Sequence, residues 1–218
     1  MTPRERILAA LSHQESDRVP IDLGSSIVTS ITKAAYEPLR EHMGLPEEDI
    51  VVYDEVQQLP YVGEDVLTAF GVDTRMVQLP PTHVKGVEIV DEGDYYAMWD
   101  RWGAKMRMPK EKPLYYDWVD FPIKDMTLEA LEAYDWPEPD PPELIAGLRD
   151  RAEHLRATTD FALVGSGVIG GGMFEKSCRV MGLEPFMMSM RMAPEFANKL
   201  ADGITYIYIE AIDRYLAL

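Results

Sequence analysis

The sequence predicts a mixed α/β fold in which helices and strands alternate and at least one strand is buried in a parallel sheet. Residues 161–176, FALVGSGVIGGGMFEK, contain a short apolar run, a glycine-rich turn and the start of a helix. Residues 2–79 alternate between predicted helical and strand segments, which is typical of α/β proteins. The 218 residues, 46% of them hydrophobic, are enough for one substantial core.

Local signals predict each element in turn. Thr2, Pro3 and Glu5 have the spacing of a capped helix start and predict a first helix over 2–12. Gly and Pro residues mark most of the other boundaries. The expected elements are then a strand at 19–23, helices at 31–42 and 63–70, a strand at 72–79, a β-hairpin at 87–108 within an excursion over 86–120, helices at 128–133 and 141–158, a strand at 161–165, and helices at 174–181, 184–192 and from Pro194 onwards.

The charge and composition of the chain argue against some classes of binding partner. The net charge of -17 and the pI near 4.6 argue against nucleic acid and against anionic membrane surfaces. Cys178 is the single cysteine, so no intramolecular disulfide forms, which suits a reducing compartment. The first residues have no signal-peptide pattern, and no run of 18 apolar residues exists. We therefore expect a cytoplasmic protein with a small-molecule substrate.

Polar residues that follow the predicted strands form the candidate site, because ligands of α/β folds bind at the carboxyl ends of strands. Glu175 and Asp22 are the catalytic candidates. The candidates for substrate binding are Ser25, Gln78, His83, Ser166 and Gly171. Glu175 also suits a purely structural role near a helix N-terminus. Arg75 is expected either to point into a barrel or to pair with a carboxylate on the outer face.

Other features of the sequence have simpler interpretations. Gly165, Gly167 and Gly170 fit the spacing of a dinucleotide-binding loop, but that motif normally opens its domain, so a loop lining another small-molecule site is favoured. Cys178 is expected to be a small buried hydrophobe rather than a nucleophile. No metal-ligand spacing links the four histidines, which are His13, His42, His83 and His154.

Five segments, in order, resemble the uroporphyrinogen decarboxylase family. The opening MTPRERILAAL…DRVPIDLG is similar to the family's start. The segments YDEVQQL with EDVLTAFGVDTR, WDRWGAKMRMP, FPIKDMTLEALEAYDWPEPD and GGGMFEK resemble stretches of its methyltransferase-like members. The resemblance runs over almost the whole chain and covers the first three-fifths of the family's domain.

The resemblance implies a partial TIM (β/α)8 barrel. Residues 1–218 would form the N-terminal part of a single barrel domain and supply about three barrel strands, at 19–23, 72–79 and 161–165, with the excursion at 86–120. An incomplete barrel leaves sheet edges open, so we expect either a homodimer or a partner chain that supplies the C-terminal half.

The family's two activities are porphyrinogen decarboxylation and zinc-dependent methyl transfer linked to corrinoid proteins. Uroporphyrinogen carries eight carboxylates, yet residues 22–32, where the decarboxylases have an arginine, contain no arginine or lysine. The decarboxylases' aspartate and tyrosine after the next two strands are not matched either. Methyl transfer is therefore favoured, with a corrinoid protein as partner and zinc on ligands from the later part of the barrel. The alternatives are a uroporphyrinogen decarboxylase and a non-catalytic half-barrel subunit, so enzymatic activity of this chain alone stays open.

Overall fold

A computed structural model describes residues 1–78, 88–139, 147–166 and 171–217. The mixed α/β class is confirmed. In chain order the elements are α1 (Pro3–Leu11), α2 (Lys33–His42), β1 (Val52–Asp54), β2 (Leu59–Pro60), α3 (Glu64–Ala69), β3 (Thr74–Gln78), β4 (Val90–Glu92), β5 (Tyr95–Trp99), β6 (Lys105–Pro109), β7 (Asp117–Asp120), α4 (Leu128–Ala133), α5 (Leu148–Thr158), β8 (Ala162–Ser166), α6 (Met173–Met181), α7 (Leu183–Met192) and α8 (Pro194–Leu216). Each helix in this part of the chain is too short or too polar to cross a lipid bilayer.

The chain divides into two compact units. Unit 1 comprises Met1–His83 and Glu143–Gly167, and unit 2 comprises Val84–Pro142 and Val168–Leu218. The division cuts the glycine-rich turn, so the predicted site residues before and after it belong to different units. The description as one barrel domain stays a prediction.

A parallel pair of strands organises unit 1. β3 and β8 pair in parallel from Thr74 opposite Ala162 to Gln78 opposite Ser166. Parallel strands need a crossover connection, and α5 packs against both of them. The predicted strands at 72–79 and 161–165 are therefore present, and among the described strands this is the one parallel pairing.

Helix α1 closes the amino ends of both strands. It begins with the predicted capping box, in which Thr2 accepts from the Glu5 amide and Glu5 accepts from the Thr2 amide. Arg4 donates to the carbonyl oxygens of Thr159 at 2.8 Å and Phe161 at 3.2 Å, just before β8. Arg6 reaches Asp73, just before β3. These contacts place α1 at the amino ends of the pair.

The strand predicted at 19–23 is wrong. Ile21 lies beside β3, and its carbonyl accepts from the Asp73 amide at 2.8 Å, but the Ile21 amide donates to the Asp73 side chain instead of the backbone. Pro20 has no amide hydrogen to continue the ladder. One backbone bond is too little for a strand, so the segment runs alongside β3 as irregular chain.

Unit 2 combines an antiparallel sheet with a helical layer. β4, β5, β6 and β7 pair in that order, so the predicted hairpin is present and is extended by a fourth strand. The acidic helix α4 has the predicted bounds, and α6, α7 and α8 pack on one another. Their shared core includes Trp102, Val180, Phe196, Leu200 and Ile204. Each large apolar side chain buried there contributes about 1.5–3 kcal/mol.

Arg75 has the second of its two expected environments. Its guanidinium donates to Glu64 of α3 and lies 3.5 Å from the centre of the Phe161 ring. Because side chains alternate along a strand, Arg75 and Val77 share one face of β3 while Thr74 and Met76 share the other. The second face is the one that the loop after Ile21 contacts.

Candidate functional site

The amino end of β3 is occupied by a buried charge network. Asp73 is fully buried and accepts from Arg6 at 2.5 Å and from Arg18 at 2.8 Å, besides the Ile21 amide at 2.8 Å. Arg6 also pairs with Asp17 at 2.6 Å. Both carboxylate oxygens of Asp73 are therefore satisfied, and the network joins α1, the following loop and β3.

Burial alone would raise the pKa of Asp73. The hydrogen bonds from the Ile21 amide and from the two guanidinium groups outweigh burial and hold the pKa below its usual range. Asp73 is therefore ionised at neutral pH, and its partners leave no room for a ligand. The network stabilises the fold rather than forming a site.

Asp22 lies close to this network rather than at the carboxyl end of β3. Its carboxylate accepts from the Thr74 hydroxyl at 2.5 Å, and Thr74 is the first residue of the strand. The side chain is exposed to solvent. The catalytic role assigned to Asp22 stays a prediction, and its position is level with the start of the parallel pair.

The loop after Asp22 buries hydroxyl groups that have no hydrogen-bond partner. It closes on itself through the Gly24 amide and the Thr29 carbonyl, 2.9 Å apart. Gly24 has a φ of 73°, and a Cβ there would lie 2.7 Å from Val62, so the turn requires glycine. Among the described residues, the hydroxyls of Ser25, Ser30 and Tyr53 are buried without a partner. Buried hydroxyls normally have one, so these oxygens are available to a ligand or a water molecule.

Tyr53 connects this loop to strand β3 through its packing contacts. Its ring packs with Leu59, Met76 and Ile27, and lies 5.1 Å from the Tyr61 ring. Burial raises the pKa of Tyr53, and the nearby Ser30 hydroxyl opposes that rise although the two oxygens do not meet hydrogen-bond geometry. The phenol is therefore neutral at physiological pH and offers a proton to an acceptor.

One cation lies near the tyrosine pair. Arg151 of α5 is exposed and reaches the Met76 carbonyl at 3.4 Å. Burial raises the pKa of Tyr61, and Arg151 opposes that rise, which places its charge close to the Tyr61 ring. We refer to the three buried hydroxyls that lack a partner, those of Ser25, Ser30 and Tyr53, as the hydroxyl cluster; Tyr61 packs beside Tyr53, and Arg151 lies near Tyr61.

The last residues of the parallel pair bring two predicted positions together. Gln78 and Ser166 are register partners at the carboxyl ends of β3 and β8. His83 lies outside the described residues, as do the glycines at 167 and 170. The substrate-binding roles of these positions stay predictions.

In unit 2, Gly171 and Glu175 lie together at the start of α6. Gly171 has a φ of 75°, and a Cβ there would lie 2.8 Å from the Glu175 carboxylate. Glu175 is 52% exposed and pairs with Arg179 one turn further along the helix. This environment matches the structural role of an acidic residue in a first helical turn, and the catalytic role of Glu175 stays a prediction.

Arg179 lies over an aromatic groove. Its guanidinium is 4.1 Å from the centre of the Trp118 ring, and its Nε is buried without a hydrogen-bond partner. A groove of about 290 Å³ is lined by Trp118, Phe121, Phe174, Glu175, Cys178, Arg179 and Leu183. Burial raises the pKa of the half-buried Cys178, which keeps it a thiol, in line with the expected apolar role.

Lys176 is a buried charge that the sequence reasoning did not single out. The residue is 6% exposed, and its Nζ lies 5.0 Å from the centre of the Trp102 ring. Burial lowers the pKa of Lys176 to about 8, and Arg179 adds to this effect. A signal for it was present in the sequence, because Lys176 stands one helical turn before Val180 on the apolar stripe of α6. The hydroxyl cluster has no comparable signal, since nothing local marks a serine as buried and unpaired.

No group of three or more histidine, cysteine, aspartate or glutamate side chains in the described ranges is arranged to hold a metal ion. Comparisons with protein families, characterised proteins and solved structures find no match to this chain. The geometry of the two units and the sequence resemblance are therefore the two grounds for assigning a function to this chain.

Proposed function

We propose that this chain is the N-terminal part of a barrel of the uroporphyrinogen decarboxylase family, from the methyltransferase-like branch, and that it binds a small methylated substrate. The parallel pair of β3 and β8 supports a partial barrel. Helix α1 closes the amino ends of the pair, and the carboxyl ends lead into the two segments at 79–87 and 167–170. This polarity is what a barrel enzyme needs, because its site lies at the carboxyl ends of the strands.

The observation that carries the substrate class is the hydroxyl cluster. Ser25, Ser30 and Tyr53 have buried, neutral hydroxyls without partners among the described residues, and the Tyr53 ring packs with the apolar side chain of Met76. A small molecule with one polar heteroatom and a methyl group would satisfy the hydroxyls and keep its apolar part in contact with the core. A porphyrinogen with eight carboxylates would need several fixed cations instead.

Cofactors of the complete enzyme would be held elsewhere. The resemblance assigns the zinc ligands to the later part of the barrel, and zinc there would favour the thiolate form of an accepting thiol. A corrinoid protein would be the methyl-carrying partner. Within this chain the hydroxyl cluster would bind and orient the methylated group, and the neutral phenol of Tyr53 would donate a hydrogen bond to its heteroatom.

The activity test uses the full chain alone and after addition of a separately expressed C-terminal half of a family barrel. Methyl transfer from a panel of small methylated ethers, amines and thioethers to cob(I)alamin is followed by the change in corrinoid absorbance, with zinc present. We expect transfer above the protein-free rate in the mixture, together with a one-to-one complex in size-exclusion chromatography with light scattering.

Two other results would overturn the proposal. Carboxylate loss from uroporphyrinogen without methyl transfer would favour the decarboxylase. A stable dimer of the chain alone, with neither activity after the second half is added, would favour the non-catalytic subunit. In the active mixture, Tyr53→Phe should lower the rate at least tenfold, and the matched control Tyr61→Phe should leave it within about twofold.

A further inference from the structure

Lys176 in unit 2 is buried without a direct ion-pair partner among the described residues. Within the described chain, its ammonium group makes no ion pair or hydrogen bond, and its one recorded contact is the cation–π contact with Trp102. Burying an ammonium group without a partner is costly, so such lysines are uncommon in cores that serve packing alone. The residue is therefore a candidate for chemistry that uses the neutral amine.

The surroundings of Lys176 favour the neutral amine. Burial has the largest effect on its pKa; Arg179 and Arg101 lower the pKa further, whereas Asp100 and Glu175 raise it without cancelling the shift. Tyr208 of α8 packs edge-on against the same Trp102, with ring centres 6.3 Å apart. Burial and the nearby guanidinium group are the two features that activate amine nucleophiles in proteins.

A second unsatisfied group lies one helical turn away. The Nε of Arg179 is buried and has no acceptor, although the guanidinium also pairs with Glu175. Residues three apart on a helix are neighbours on its surface, so Lys176 and Arg179 share a face. A buried N–H without an acceptor is a vacant position for an anionic oxygen, and a carboxylate is the group that guanidinium binds best.

We propose that Lys176 is an imine-forming lysine whose partner is a small oxo acid, with the carboxylate of the ligand accepting from Arg179. The neutral Nζ attacks the carbonyl carbon and forms a C–N bond, and the carbonyl oxygen gains a proton. Loss of that oxygen as water then leaves a C=N bond between ligand and lysine. One amine and one carbonyl compound give one imine and one water, so no oxidant or reductant is required.

This site lies within unit 2 and does not depend on the hydroxyl cluster of unit 1 or on methyl transfer. A groove of about 560 Å³ borders Trp102 and Arg101 and is also lined by Tyr134. Trp102 is the ring against which Lys176 packs, and Arg179 lines a second groove of about 290 Å³. Unit 2 would therefore carry a covalent binding site of its own, and its ligands would be small oxo acids.

The test compares two lysines of the same folded molecule. The full chain is incubated at pH 8 with glyoxylate and sodium cyanoborohydride, which reduces imines to stable carboxymethyl-lysine, and labelled peptides are quantified by mass spectrometry. Lys199 of α8 is the internal control, because its side chain is 56% exposed and lies 3.9 Å from Glu195. We expect Lys176 to be labelled at least about tenfold faster than Lys199 at pH 8, because burial favours the neutral, nucleophilic amine of Lys176.

Two further arms separate the parts of the proposal. Acetaldehyde has no carboxylate, so the preference for Lys176 should fall several-fold relative to glyoxylate, and Arg179→Gln should remove the difference between the two carbonyl compounds. Lys176→Met should abolish the fast label, whereas Lys199→Met should leave it unchanged. Labelling of Lys176 no faster than Lys199 in the wild-type chain, or only after denaturant is added, would overturn the proposal without any variant having to fold.

Discussion

Buried polar groups at the amino end of β3 and beside the middle of the strand differ in whether they have hydrogen-bond partners. At the amino end, the Asp73 carboxylate receives hydrogen bonds from two arginines and a backbone amide. Within the described chain, the buried hydroxyls of Ser25, Ser30 and Tyr53 receive none, and the Tyr53 ring packs against Met76 further along the strand. A fully satisfied group is a structural anchor, whereas unsatisfied hydroxyls are free to bind a ligand. The difference divides this region into a stabilising end and a binding side.

Unit 2 contains a buried positive charge, Lys176, whose partners differ from those of Asp73. Lys176 is buried like Asp73 but has an aromatic ring in place of counter-ions. Partners hold the pKa of Asp73 toward the charged form, and burial moves the pKa of Lys176 toward the neutral form. Burial alone does not decide the role of an ionisable group, since its partners determine which protonation state the fold stabilises.

The largest effect is expected from Asp73→Asn. The substitution removes the charge that Arg6 and Arg18 share and leaves Arg6 with the exposed Asp17 as its ion-pair partner. Breaking a buried pair typically costs about 3–5 kcal/mol. Urea unfolding should show a loss of about 3 kcal/mol in the free energy of unfolding. The control Asp49→Asn, on an exposed loop, should change it by less than about 0.5 kcal/mol.

The pH dependence of the free energy of unfolding tests whether Asp73 is ionised in the folded chain. Because the pKa of Asp73 is lower in the folded chain than its ordinary value of 3.8, its contribution is present above that value and is lost as pH falls through the folded pKa. Wild type should therefore lose stability more steeply in acid than Asp73→Asn. Parallel acid profiles would contradict the assignment of Asp73 as an ionised anchor.

Lys176→Met should stabilise the chain. The folded pKa of about 8 lies below the ordinary value of 10.5, so between these values the unfolded chain binds more protons and stability rises with pH. Below pH 8 the cost of the buried charge is fully present. We expect the methionine variant to gain about 1–3 kcal/mol at pH 7, with the gain shrinking toward pH 10. Urea unfolding at both pH values measures it, and a loss of stability at pH 7 would show that the charge is compensated.

Tyr53→Phe should separate binding from stability. The removed hydroxyl has no partner in the fold, so the free energy of unfolding should stay unchanged or rise by about 1 kcal/mol. The ring still packs with Leu59 and Met76. Thermal unfolding with and without a methylated ligand gives both quantities. A loss of more than about 2 kcal/mol without ligand would mean that the hydroxyl is already satisfied.

The smallest effect is expected from Glu64→Gln. Its side chain is 64% exposed, and Arg75 keeps the carbonyls of Val72 and Thr74 and the ring of Phe161 as partners. Exposed pairs contribute about 0–1 kcal/mol, so the loss in urea unfolding should lie in that range. A loss close to that of Asp73→Asn would remove the distinction between the anchor and an ordinary surface pair.

The sequence predicted the elements that local signals define. The Thr2 capping box, the acidic helix α4 and the apolar strand β8 all lie within a residue or two of their expected bounds. The strand expected at 19–23 failed because the Ile21 amide bonds to a side chain distant in sequence. No local pattern reports such a contact.

The candidate site was predictable only in part. Because the register of β3 and β8 follows from parallel pairing, strand-end reasoning brought Gln78 and Ser166 together. It did not find Tyr53, whose role depends on the packing of a loop against Met76, or Lys176, whose burial depends on Trp102. Both features depend on tertiary contacts. The helical spacing of Lys176 was a local signal for its burial, and Tyr53 had no such signal.

The most direct test of the central claim is ligand-observed NMR of the full chain with two ligand classes. One class is a panel of small methylated ethers, amines and thioethers, and the other is uroporphyrinogen. We predict that at least one small methylated compound binds wild type and loses at least tenfold in affinity in Tyr53→Phe, while Tyr61→Phe binds it normally. Binding of the octacarboxylate in preference, or equal affinity of wild type and Tyr53→Phe, would contradict a neutral site built from the hydroxyl cluster.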